Sequence, residues 1–241
     1  MTDSASFTLQ SFPADGVAVV LGASGAIGSA LSLAIGRSGR FAELLNLSRK
    51  SDPAIDLLNE DSLAVAARHA AQFGDMRLVI DATGFLHDER QRPEKTWRDI
   101  SPSTMTRAFA VNAIGPALIM KHFLPHLPPS GKAVFATLSA RVGSIGDNRL
   151  GGWYSYRASK CALNQLVHSA AIELKRLRPD AICVSLHPGT VDTTLSRPFS
   201  RRGLNVQHPE TAAMHLVSVI DQLKSEDTGG FFDWRGASVP W

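Results

Sequence analysis

A chain of 241 residues, 44% hydrophobic and 20% charged, carries enough apolar material for one sizeable core and lacks the composition of a disordered segment. Its net charge of +3 is a small surplus of mixed charges, so no nucleic-acid surface is implied, and Arg201 and Arg202 read as a solvated loop. Two cysteines exclude a disulfide framework or a four-cysteine zinc site. No apolar run reaches the roughly 18 residues of a membrane span, and "MTDSASFTLQSFPADG" has no signal-peptide order, so a soluble cytoplasmic protein is expected.

After a short polar leader, "GVAVVLG" reads as a buried strand ending at Gly22, and "GASGAIGSALSLAIGRSG" as a helix stopping at Gly39. "AELLNLS" (42–48) is a second strand and "AIDL" (54–57) a short third, followed by a helix in "EDSLAVAARHAAQFG". "MRLVIDATG" (76–84) is a strand, and 102–127 a helical pattern interrupted near Pro116. "KAVFATLS" (132–139) and "AICVSLHPG" (181–189) are strands on either side of the amphipathic helix "YSYRASKCALNQLVHSAAIELKRL". A helix in 209–224 and a strand in the tail complete the chain.

Strands and helices alternate, and most strands are continuous apolar runs. That pattern predicts a single α/β domain over 1–241, a Rossmann-like doubly wound parallel sheet with helices on both faces. The loops 85–102, 140–155 and 190–208 are expected to shape a pocket, with Trp153, Leu195, Pro198, Phe199 and Leu204 favouring an apolar or aromatic substrate portion.

In such a sheet, ligands bind beyond the carboxyl ends of the strands. The first strand empties into Gly22, Gly25 and Gly28 as a helix begins, the context that suits a dinucleotide pyrophosphate. The expected cradle comprises Gly22, Ser24, Gly25, Ala26, Ile27 and Gly28. The second strand ends in Ser48, Arg49 and Lys50 with no carboxylate. A guanidinium can fork onto a 2′-phosphate, so NADP(H) is preferred, with NAD(H) the alternative. Asp56 and Leu57 are expected near the adenine.

Both tyrosines of the chain lie in "WYSYRASK". Residues four apart on a helix share a face, which pairs Tyr156 with Lys160. Tyr154 stands about 240° away from the lysine and is expected before the first turn. A neighbouring cation lowers a phenol's pKa and makes it usable as an acid near neutrality. His122 and His126, with Pro125 between them, read as surface rather than metal ligands; no metal is expected. His187 reads as a strand-end residue beside the site.

The glycine turn, "VNAIGP", "ATLSARVGSI", "YRASK" and "HPGTVDT" occur in the order found in the short-chain dehydrogenase/reductase family, which residues 16–195 resemble. "SARVGSIGDNRLGGWYSYRASK" is most similar to its branch of sniffer-type carbonyl reductases and C-factor-like proteins. The resemblance implies Tyr156 as acid/base, Lys160 as the partner that lowers its pKa and holds the nicotinamide ribose, and Asn112 as the helix residue supporting a proton-carrying water. It implies that Pro188, Gly189, Val191 and Thr193 seat the nicotinamide carboxamide, and that Asp81, Ala82, Thr83 and Gly84 stand where relatives have Asn-Asn-Ala-Gly. Paired long helices of the family imply a homodimer or homotetramer.

Four departures stand out. Ala26 occupies a usual glycine position, Asp81 is acidic, and the loop from Ser139 to Tyr156 is long. Alignment on Gly143 puts Ala140 where the family's substrate-binding serine stands, leaving Ser139 as the nominated hydroxyl and Ser144 next. The expected activity is hydride transfer between a nicotinamide and a carbonyl or alcohol substrate. The alternative is a dinucleotide-binding regulatory or signalling protein with little turnover.

Overall fold

The computed structural model describes residues 9–199 and 206–241; Arg201, Arg202 and Leu204 lie outside them. Six strands form one wholly parallel sheet: β1 (Val17–Leu21), β2 (Glu43–Leu47), β3 (Met76–Asp81), β4 (Ala133–Leu138), β5 (Ala181–His187) and, last in the chain, a strand at Phe231–Asp233. Between β5 and that last strand, β6 (Thr190–Val191) pairs with β7 (Val206–Gln207) as a small parallel ribbon, which makes Phe231–Asp233 β8. The order across the sheet is β2-β1-β3-β4-β5-β8, so the direction of winding reverses between β1 and β3.

Helices cover both faces. α1 (Ala26–Ser38) and α6 (Pro209–Gln222) pack on one, burying Leu31, Ile35, Leu216 and Ile220 against Val20, Ile80 and Val184. On the other, α2 (Glu60–Ala71), α4 (Gly115–Phe123) and α5 (Tyr154–Leu177) bury Leu63, Phe123, Leu163 and Val167 against Val19, Phe135 and Cys183. Strands β1, β4 and most of β5 are buried along their whole length, which is why they read as unbroken apolar runs.

Several local expectations are corrected. "AIDL" is not a strand: the Asp56 carboxylate accepts from the Leu58 amide (2.9 Å), and the Ser62 hydroxyl accepts from the Asp56 amide (2.9 Å), a side-chain-built turn leading into α2. The interruption of 102–127 does fall near Pro116, but as a change of helix type. α3 (Pro102–Phe109) passes into a five-residue π-helical turn, Ala110–Ile114, which continues directly into α4 with Pro116 as its second residue. The leader is not simply polar, since Leu9 and Phe12 are buried in the α1–α6 layer. Tyr154 does not precede α5; it opens the helix.

Candidate active site

At the carboxyl edge of the sheet lies a cavity of about 400 Å³, walled by the ends of β4 and β5, the first turns of α1 and α5, and the segments after β3, β4 and β5. Tyr156 lines it, whereas Tyr154, two residues earlier, is not among the lining residues. The Tyr156 hydroxyl has no hydrogen-bond partner among the described residues, so it is available to a ligand.

Gly151, Gly152 and Trp153 all have positive φ, a tight reversal that feeds straight into α5. Trp153 at the helix N-cap has no capping side chain. The cap comes instead from Glu94, buried in the 85–102 segment. Its carboxylate accepts from the Ser155 amide (3.2 Å) and from the Ser155 hydroxyl, and its carbonyl accepts from the Trp153 amide (2.6 Å). A carboxylate at a helix N-terminus satisfies otherwise orphaned N–H groups and complements the helix dipole. The turn carrying Tyr156 is thereby clamped. Arg157 adds to this by donating to the carbonyls of Val142 (3.1 Å) and Gly152 (2.9 Å).

Lys160 is 3% exposed, and its ammonium donates to the Leu138 carbonyl at 2.8 Å. Burial lowers its pKa to about 8, opposed by the negative charge of Asp81. Burial also pushes the Tyr156 phenol up to about 12. The expected acidification of Tyr156 by Lys160 is therefore not what this geometry gives: loss of hydration dominates, and the amine, rather than the phenol, is brought toward neutrality.

Asn112 lies in the π-helical turn, fully buried. Its side chain accepts from the Phe85 amide (2.7 Å) and donates to the Phe85 carbonyl (2.8 Å) and to Ser159 Oγ (3.1 Å). It pins the segment after β3 to α5. A side-chain carbon at Gly84 would lie 3.7 Å from both Asn112 Oδ1 and Lys160 Nζ, so these groups converge beside Gly84. Asp81, wholly buried, accepts from the Thr83 amide (2.9 Å), the Thr83 hydroxyl (2.6 Å) and the Thr137 hydroxyl (2.8 Å). Those bonds compensate its burial, which raises its pKa. Asp81 thus shapes the turn at Ala82 and Thr83 from within the fold.

Ser139 sits just beyond β4 on the cavity wall, but its hydroxyl donates to Asn164 Oδ1 at 2.7 Å. Ala140 beside it has no hydroxyl. Ser144 does not line the cavity: its hydroxyl donates to the Pro240 carbonyl and accepts from the Asp147 amide (3.1 Å). With the Asn164 amide in this orientation, which leaves its Nδ2 buried without a partner, neither nominated serine offers an uncommitted hydroxyl proton. Asn164 escaped notice in the sequence, although Tyr156, Lys160 and Asn164 follow one another at four-residue intervals on one helix face. Glu94, in an irregular polar segment, left no such signal.

The residues at the switch point fit a dinucleotide. Gly22 has φ +80°, and a side-chain carbon there would meet Ala82 at 3.0 Å; at Gly28 it would lie 2.3 Å from the Gly22 carbonyl oxygen. Glycine is needed at both for α1 to pack this close to the strand end. Gly25 caps α1 with no side-chain hydrogen bond, and the first turn holds no acidic residue. Ser24, Gly25 and Ala26 are exposed. Ala26 is tolerated because it occupies the first helical position, with ordinary helical geometry. Ile27 lines the cavity, so the glycine turn and the Tyr156 pocket are continuous.

Arg49 and Lys50 are exposed beyond β2, and Arg49 makes no ion pair among the described residues. Asp56 is exposed nearby, while Leu57 packs under Gly115. Pro188, Gly189, Val191 and Thr193 all line the cavity. Gly189, at φ +81°, leaves no room for a side chain beside Gln207 and Trp234.

A parallel doubly wound sheet with this glycine turn and a helix-borne Tyr156/Lys160 pair is the architecture of the short-chain dehydrogenase/reductase class. The chain belongs to the short-chain dehydrogenase/reductase family: the family model described as enoyl-(acyl carrier protein) reductase matches residues 30–221. The C-signal protein of Myxococcus xanthus is 38% identical over 59% of this chain and 82% of its own length. The 1-hydroxy-2-glutathionyl-2-methyl-3-butene dehydrogenase of Rhodococcus sp. (strain AD45) is 31% identical over 79% of this chain and 80% of its own. The fold is shared with the carbonyl reductase Sniffer of D. melanogaster (TM-score 0.80, 23% identity, 95% of this chain and 100% of that one). It is shared equally with the NADPH-bound carbonyl reductase from chicken fatty liver (TM-score 0.82, 22% identity, 98% of each chain).

Proposed function

We propose that the protein is an NADP(H)-dependent oxidoreductase that interconverts a carbonyl compound and its alcohol. The observation that carries this reading is the Tyr156 hydroxyl, uncommitted on a cavity wall and one helical turn from a buried lysine whose pKa is lowered to about 8. When bound, the nicotinamide exchanges a hydride with the carbonyl carbon. Tyr156 gives its phenolic proton to the developing alkoxide, so no free oxyanion accumulates. Lys160, its pKa lowered to about 8 and still mostly an ammonium at pH 7, yields a proton behind the tyrosine and takes one back. Gly22 to Gly28, with Ser24, Ala26 and Ile27, would hold the pyrophosphate. Ser48 and Arg49 would hold the ribose phosphate, and Asp56 and Leu57 the adenine side. Ala82, Thr83 and Gly84 would border the cofactor ribose, and Pro188, Gly189, Val191 and Thr193 the carboxamide.

An aromatic or apolar substrate suits the wall. Trp153 stands edge-on to Phe199 (5.1 Å between centroids) and to Tyr156 (6.1 Å), and His87 stands edge-on to Phe199 (5.2 Å). Leu86, Val142, Leu150 and Leu195 add apolar surface. We further infer one folding domain over 1–241, working as a homodimer or homotetramer through α4 and α5. No helix among the described residues is long and apolar enough to cross a membrane, in keeping with a cytoplasmic location.

The test is to mix the protein with NADPH and a panel of aldehydes, ketones and quinones and to follow cofactor absorbance. Turnover is expected, with a loss of about 10² to 10⁴-fold in Tyr156→Phe. A second reading, a dinucleotide-binding regulator, draws on the Ser139 hydroxyl being committed to Asn164 and on the likeness to C-signal. Tight NADPH binding without turnover of any compound would favour it.

A further inference from the structure

Reduction of a carbonyl develops negative charge on oxygen, and one phenol supplies only one hydrogen bond to it. A second donor aimed at that oxygen is worth about 10² to 10³ in rate in comparable sites. The strand-end hydroxyl nearest the site is spent on Asn164, and Ala140 carries none. Thr193 pairs with Ser196 at 3.2 Å, Arg141 with Asp147 at 2.6 Å, and Arg157 holds backbone carbonyls.

His187 is different. It closes β5 and lines the cavity. In the β4–β5 register Leu138 stands opposite Leu186, and the Ser139 amide donates to the Leu186 carbonyl (2.8 Å), so His187 stands beside Ser139. Its Nδ1 is enclosed without a partner, and Nε2 makes no hydrogen bond among the described residues, leaving Nε2 as the ring nitrogen toward the cavity.

We propose that His187 donates its Nε2 proton in a hydrogen bond to the substrate's carbonyl oxygen, opposite Tyr156, and fills the place that a serine at position 140 would hold. The imidazole polarises the oxygen and keeps its proton throughout; the proton transferred is that of Tyr156. The ring must stay neutral and carry its hydrogen on Nε2. Burial and the Arg141 guanidinium lower its pKa to about 4, against the opposing Asp233 carboxylate, so it is neutral at pH 7. An enclosed nitrogen left as a bare lone pair is also the less costly arrangement, since a buried N–H without an acceptor is the rarer state.

This rests on the reductase reading, and two measurements separate the two. Long-range 15N–1H correlation on the intact protein, with His187 assigned from His187→Gln, is expected to give the neutral Nε2–H tautomer at pH 7; an Nδ1–H tautomer overturns the proposal without any turnover being measured. In kinetics with NADPH and the most reactive aromatic aldehyde of the panel, His187→Phe should lose about 100-fold in kcat/KM with unchanged NADPH affinity. His187→Gln, whose amide N–H reaches the Nε2 position, should recover most of it, and His187→Asn should not. Equal losses in the Phe and Gln variants, or a loss found in Thr190→Val instead, would overturn the assignment. Turnover unaffected by His187→Phe sinks this inference alone, whereas no turnover by the unaltered protein sinks the reductase reading and this inference with it.

Discussion

Lys160 illustrates how burial sets chemistry at a single side chain. In the unfolded chain its amine has a pKa near 10.5, and in the fold about 8. Between those values the unfolded chain binds more protons than the native one, so this group makes stability rise with pH from about 8 to about 10.5; below 8 the cost of the buried charge is present in full. Replacing Lys160 with Met should flatten that rise, while leaving the Leu138 carbonyl without its donor and Asp81 without the nearby positive charge. Urea unfolding of the two proteins at pH 7 and pH 10 measures it, and parallel pH slopes would contradict the assignment. At Arg49 the expectation concerns selectivity. Arg49→Glu should weaken NADPH by tenfold or more while sparing NADH, because a charge-assisted pair with a 2′-phosphate is replaced by repulsion. The ratio of the two cofactors' KM values is the readout.

At the scale of elements, α5 is the part whose placement matters most. It carries Tyr156, Lys160 and Asn164 on one face, and Leu163, Val167 and Leu174 extend that face into the core. The helix begins abruptly after three positive-φ residues, so its first turn depends on Glu94 from a remote segment. Glu94→Ala should cost about 1–2 kcal/mol in stability, the usual value of a helix cap, and should lower kcat more than it raises KM because Tyr156 loses its fixed height above the sheet. Equilibrium unfolding and steady-state kinetics on one preparation would test both parts. Sequence periodicity located α5 well, and the glycine stops located α1. The interruption of 102–127 was legible as lying near Pro116, but its form, a π-helical turn at Ala110–Ile114, was not, because a π turn has no residue signature of its own.

For the whole molecule, the face of α4 and α5 away from the sheet holds a groove lined by Ala117, Met120, Leu124, Leu166 and Leu177. Within it Leu177 is 64% and Leu166 37% exposed. Apolar surface gathered in this way fits an interface between copies of the chain better than a solvated face. Sedimentation of the unaltered protein should give a dimer or tetramer, and Leu166→Glu with Leu177→Glu should shift it toward monomer while leaving the far-ultraviolet circular dichroism unchanged. A monomer throughout would rule the interface out.

By itself the sequence determined the class of fold, because fully buried parallel strands must be continuous apolar runs, and it singled out Tyr156 and Lys160, because a four-residue spacing becomes a shared face as soon as a helix forms. It could not decide what depends on contacts between distant segments. The Ser139 hydroxyl is committed to Asn164, Glu94 caps a helix some sixty residues further on, and Asp81 is satisfied by Thr83 and Thr137. Nor could it decide the protonation of His187, which it did place at a strand end beside the site: that is governed by loss of water and by Arg141 and Asp233, groups brought to it by the ends of two other strands. Hydration and hydrogen-bond partners are properties of the folded neighbourhood, and only tertiary structure supplies that.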